Sequence, residues 1–109
     1  MANSFINKKV DLTTTDNTTL YTVPDANTAV IKSLLVSEDA GSGTTITVTL
    51  TDSSSNVFSL FKTKTISANQ TVELLSQPLI MQESEILKAT AATGNRLHIV
   101  LSVLQINRN

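Results

Sequence analysis

Residues 44–51 read Thr-Thr-Ile-Thr-Val-Thr-Leu-Thr, so Ile46, Val48 and Leu50 alternate strictly with Thr45, Thr47, Thr49 and Thr51. Successive side chains of an extended strand point to opposite faces, and a period of two therefore marks a strand with one face on a core and one toward water. Threonine's branched Cβ favours the strand while its hydroxyl keeps the outer face wettable. A helix would scatter the same apolar residues around its circumference. This segment can only be a strand.

Turn-forming clusters recur along the chain. They are Pro24-Asp25-Ala26-Asn27, Glu38-Asp39-Ala40-Gly41-Ser42-Gly43, Asp52-Ser53-Ser54-Ser55-Asn56, Ser67-Ala68-Asn69-Gln70, Gln82-Glu83-Ser84 and Ala92-Thr93-Gly94-Asn95. Gly and Asn accept positive φ, Pro pre-sets φ, and Asp and Ser bond to nearby backbone. Six such turns imply about seven to eight strands. Residues 5–12 alternate as well, with Ile6, Val10 and Leu12 on one side and Asn7, Lys9 and Asp11 on the other; Phe5 falls on the polar side. Residues 71–76, ahead of Pro78, are too few for a stable helix and read as an edge strand. At 109 residues the chain makes one domain. The expected fold is all-β, an antiparallel β-sandwich with residues 1–12 as an N-terminal arm or first strand and 13–109 as a single β-sandwich domain. Jelly roll, plain sandwich and meander share this turn spacing, and the jelly roll suits strands this short.

Residues 29–36 and 97–106 are apolar on both faces, and Leu79-Ile80-Met81 is a short continuous apolar run. Strands of that kind are buried on two sides, centrally in a sheet or against another subunit. In the last strand Leu97, Ile99, Leu101 and Val103 fill one face, while Val100, Leu104 and Ile106 fill part of the other. That is one apolar face too many for a monomer, and the expectation is a subunit interface at Leu97, Ile99, Val100, Leu101, Leu104 and Ile106, joined by Phe5 and Ile6 of the N-terminal segment. The alternative is a bulge that switches the register of the last strand midway.

Composition excludes most chemistry. Charged residues make up 16% while Thr, Ser and Asn fill 38 positions, a polar but weakly charged surface that no coiled coil uses. A net charge of −1 gives no footprint for nucleic acid. Without cysteine there is no disulfide, thiol nucleophile or thiolate-bound metal, and His98 alone makes no histidine metal site. No apolar run approaches the ~20 residues of a membrane span, and the N-terminus lacks the pattern of a signal peptide, so synthesis in the cytosol and no membrane partner are expected. Glu83 and Glu85 flank Ser84 in what reads as a solvated turn. Glu38, Asp39 and Asp52 lack the spacing that would supply the six to eight oxygens of a calcium site. His98 reads as a packed or interfacial residue, since no nucleophile motif accompanies it. Of the four aromatics, Tyr21 is expected as the exposed stacking platform, and Phe58 and Phe61, like Phe5, as core or interface. The expectation is no enzyme, no metal and no cofactor.

Residues 19–37 (Thr-Leu-Tyr-Thr-Val-Pro-Asp-Ala-Asn-Thr-Ala-Val-Ile-Lys-Ser-Leu-Leu-Val-Ser), followed by a Gly/Thr-rich turn and Ile46-Thr47-Val48-Thr49-Leu50-Thr51-Asp52, resemble a pattern of small structural proteins of tailed bacteriophages, notably phages of marine bacteria and cyanobacteria. Pro78-Leu79-Ile80-Met81, Ile86-Leu87-Lys88-Ala89-Thr90-Ala91 and the closing strand are similar to the same family's second hairpin and terminal strand. The resemblance spans residues 18–106. Two turns depart from it: Glu83-Ser84-Glu85 stands where the family carries Gly-Asp, and Asp25-Ala26-Asn27 where it carries Ala-Gly-Lys. The resemblance implies a virion structural protein, made in the host cytoplasm and assembled in many copies. A capsid decoration or cement protein is the first such role, and a neck, tail or fibre-base subunit the second. The implied partners are copies of itself, as a trimer or another homo-oligomer, and other virion proteins such as the major capsid protein. A carbohydrate-binding adhesion module is the remaining alternative, which the lack of Trp disfavours. Residues 2–9, ahead of the matched motifs, are expected as an arm that adds a strand to a neighbour's sheet.

Overall fold

The alternating segment Thr44–Thr51 is one strand of nine in the computed structural model, which describes residues 2–108 and has no helix among them. Before it come β1 (Ala2–Leu12), β2 (Thr18–Thr22) and β3 (Asn27–Glu38); it is β4. After it come β5 (Val57–Ile66), β6 (Thr71–Glu73), β7 (Leu79–Met81), β8 (Ile86–Ala91) and β9 (Leu97–Asn107). The six expected turn clusters are six of the connections. The connection at residues 13–17 escapes a sequence reading because its threonines favour strands. Pro78 separates β6 from β7, which pair with the same edge of β3 at opposite ends.

Two antiparallel sheets form a sandwich. Sheet A runs β1-β9-β3, with β6 and β7 sharing the outer edge of β3; sheet B runs β2-β8-β4-β5. The pairs are nested: β1 with β9, β2 with β8, β3 with β6 and β7, β4 with β5. A long hairpin of four nested pairs, rolled so that alternate pairs fall in opposite sheets, is the jelly roll. Counted with β6 and β7 as one interrupted strand, it has eight strands, within the expected seven to eight.

Between the sheets lie Ile46 and Val48 of β4, Leu87 and Ala89 of β8, and from sheet A Ile31, Leu34 and Val36. Strand β9 contributes Leu97, Ile99, Leu101 and Val103, all at most 1% exposed. Its pairing with β1 runs from Leu97 to Asn107 without a register shift. The bulge lies instead in β3, between Ile31 and Ser33. There the Glu73 carboxylate accepts hydrogen bonds from the Ser33 hydroxyl and the Leu34 N–H (2.7 Å), filling the gap that the bulge opens.

A second carboxylate ties two loops together. Glu38, at the end of β3 and 2% exposed, accepts backbone N–H bonds from Asn69 (2.9 Å), Gly41 (3.0 Å), Ala40 (3.3 Å) and Ser42 (3.4 Å). The Asn69 N–H, with the three turn N–H groups behind it, holds the carboxyl below the usual range even though burial opposes ionisation.

Two outcomes are expected. In urea melts Leu101→Ala loses about 2–5 kcal/mol, while Val100→Ala on the outer face of the same strand loses less than about 1 kcal/mol. Glu38→Gln lowers the melting temperature at neutral pH. Because the carboxyl's folded pKa is depressed, its contribution is present above the unfolded pKa and is lost as pH falls through the folded value. The gap between the two proteins' melting temperatures therefore closes in acid.

Candidate functional site: the outward face of sheet A

The second side of β9 is what the core does not use. In an antiparallel ladder, residues directly opposite point to the same face. Inward Val103 stands between Ile6 of β1 and Ile31 of β3; outward Leu104 stands between Phe5 and Val30. Val30 is paired in turn with Ile80 of β7. Phe5, Leu104, Val30 and Ile80 thus form one apolar row across four strands, with Phe5 79% and Ile80 57% exposed at its two ends. One turn of the pleat away, Ser102 pairs with Asn7 and Ser33. Beyond it Lys9, Val100, Leu35 and Glu73 form a second row, apolar in its middle and oppositely charged at its ends. Ile106 lies outward at the far end, half-buried beside Asn3 and Thr28.

Eight residues were expected at an interface, and the structure divides them. Leu97, Ile99 and Leu101 are core side chains, a correction that follows from the unbroken alternation of β9: they point into the sandwich and reach no neighbour. Ile6 faces inward and packs on the edge of the core. Phe5, Val100, Leu104 and Ile106 share the outward face. Residues 2–9 are part of β1 and pair with β9 of their own chain.

The carboxylates and the histidine are engaged in structure. Glu83 accepts from the Ala26 N–H (2.6 Å) and from Arg108 (2.7 Å), and Glu85 accepts from the Gln82 N–H (2.8 Å). Asp52 accepts from the N–H groups of Asn56 and Ser54, both at 2.9 Å; the Asn56 bond does most to hold its carboxyl below the usual range. His98 stands half exposed with Nε2 3.5 Å from Asp11 and Nδ1 3.4 Å from Asp39. No cluster of three or more potential metal ligands occurs among the described residues.

Tyr21 overturns its expectation. It is 3% exposed, its hydroxyl donates to Gln105 Oε1 at 2.5 Å, and burial raises its pKa. The cause is a register shift in β2 between Thr19 and Tyr21, which lets the adjacent Leu20 and Tyr21 both enter the core. The exposed aromatics are instead Phe5 and, at 53%, Phe58. Phe61 packs against the core.

No protein-family model matches the chain, and no curated protein does. Solved structures do. An endospore appendage subunit of Bacillus, from a family of disulfide-linked pili, is similar with a TM-score of 0.56 at 8% identity, over 100% of this chain and 93% of that one. A capsid chain of Helicobacter pylori bacteriophage KHP30 is similar with a TM-score of 0.56 at 12% identity, over 100% of this chain and 90% of that one. A pentameric capsid protein from metagenomic phage sequences is 21% identical with a TM-score of 0.47, over 92% of this chain and 59% of that one. At these identities the likeness is one of fold.

Proposed function

We propose that this chain is a structural protein of a phage particle, present in many copies as a decoration or cement protein of the capsid. The observation that carries the reading is the apolar row Phe5, Leu104, Val30 and Ile80, displayed across four strands on the outward side of one sheet of a jelly roll whose Glu38, Glu83, Glu85 and Asp52 carboxylates are bonded to turns. A row of exposed and half-buried apolar side chains that includes Phe and Ile suits protein contact. The similarity of fold to a phage capsid chain, and the resemblance of residues 18–106 to phage structural proteins, support the same reading. Its partners are copies of itself and other virion proteins such as the major capsid protein. A neck, tail or fibre-base subunit uses the same surface in a different place.

Glycan adhesion has less support. Tyr21 is buried, and of the two phenylalanines of β5 only Phe58 is exposed while Phe61 packs against the core, which leaves one ring to stack on a sugar. A filament subunit is the reading that the pilus neighbour favours, but this chain has no cysteine with which to link subunits.

Mass spectrometry of gradient-purified particles from the host that carries this gene tests the proposal. The chain is expected in the particle fraction at many copies per particle. Its recovery only in the soluble fraction would contradict a virion role.

A further inference from the structure

We propose that the outward face of sheet A is self-complementary and packs on a second copy of this chain, about a two-fold axis that runs along the strands between β9 and β3. This goes beyond the particle reading and holds whether or not a particle exists. Such an axis lays each strand against a different one: β1 meets the β6/β7 edge of the partner copy, and β9 meets its β3. Each row keeps its level along the strands.

The consequence can be read row by row. In the first row Phe5 meets Ile80 of the second copy and Leu104 meets its Val30, so every contact is apolar. In the second, Lys9 meets Glu73 and Val100 meets Leu35, an opposite-charge pair at each rim around an apolar centre. At the level of His98, the axis sets Asp11 against Thr71 and His98 against Ser37, pairs that can hydrogen-bond and bring no carboxylate against another. Lys32, exposed at the bulge, has a stem long enough to carry its ammonium to the rim. Turning the axis across the strands instead gives a worse match, since it sets Ile80 against Glu73 and Phe5 against Lys9. An isologous contact demands that one patch fit itself, and only the first orientation does so here.

Size agrees. Four strands about 4.8 Å apart and eleven residues at about 3.3 Å make a face of roughly 700 Å². A standard interface buries about 800 Å² on each partner. A net charge of −1 leaves little repulsion between copies. Sheets packed this way lie about 10 Å apart, and an axis along the strands keeps facing strands aligned.

Sedimentation velocity of the full chain over a concentration series tests the proposal. The wild type is expected at twice the chain mass. Phe5→Glu and Ile80→Lys, both at exposed positions that the fold does not need, are each expected to weaken the dimer about 30-fold or more with an unchanged circular dichroism spectrum. Mixing these two weakened variants is expected to restore a one-to-one dimer, because the axis brings the new Glu against the new Lys and leaves the native Phe–Ile contact on the other side. A wild type that stays monomeric, or sediments at three times the chain mass, overturns the proposal. So does a mixture that fails to associate while the wild type dimerises. None of these results bears on whether the chain is found in particles, so the two proposals fail separately.

Discussion

The ladder between β3 and β9 holds the rest of the molecule in place. It joins residues 27–38 to residues 97–107, and through it the first third of the chain is fixed to the last strand. β1 reaches the sandwich by pairing with β9, while β6 and β7 reach it by pairing with β3. Both central strands are covered on both edges, so their backbone groups are paired from two sides, and the inward side chains from Ala29 to Val36 and from Leu97 to Val103 are apolar. Partners this far apart in sequence must meet before β9 and β1 can join sheet A, an arrangement of high contact order.

Two carboxylates, Glu38 at the end of β3 and Glu73 of β6 at its bulge, show how a weakly charged protein spends its acids. Glu73 fills the bulge, and Glu38 gathers N–H groups from two loops that no strand would satisfy. Four N–H partners offset the cost of desolvating that one carboxylate. Glu83, Glu85 and Asp52 likewise serve turns. What is left for contact with other molecules is shape and apolar surface, and the two sheets differ in it. Outside sheet B, Thr47 pairs with Thr90 and Thr49 with Lys88, whereas outside sheet A Leu104 stands between Phe5 and Val30 and Val100 pairs with Leu35.

Alternation made much of this legible from sequence. The period of two in β4 and β1 gives both faces correctly, including Phe5 on the polar side, and six turn clusters locate six connections. The two-faced apolar character of residues 29–36 and 97–106 marks the pair of central strands. What alternation cannot separate is the half of β9 that is core from the half that is surface, because both halves are Leu, Ile and Val. Only cross-strand partners, Ile6 and Ile31 on one side and Phe5 and Val30 on the other, decide that Leu104 is outside and Leu101 inside. Tyr21 fails for a different reason: a one-residue bulge reverses the parity of β2, and no residue in Thr18–Thr22 announces it. The row that ends in Ile80 is invisible in sequence for the same cause as any long-range register, since it is assembled from four segments spread between residues 5 and 104.

The claim on which the functional account rests is that sheet A, not sheet B, is the face that meets protein. Hydroxyl-radical footprinting at dilute and concentrated protein tests it without any substitution. The account predicts that Phe5, Leu104 and Ile80 lose reactivity as concentration rises while Phe58 and Val57 stay as reactive as in the dilute sample. Protection of Phe58 and Val57 with Phe5 and Ile80 unchanged would contradict it.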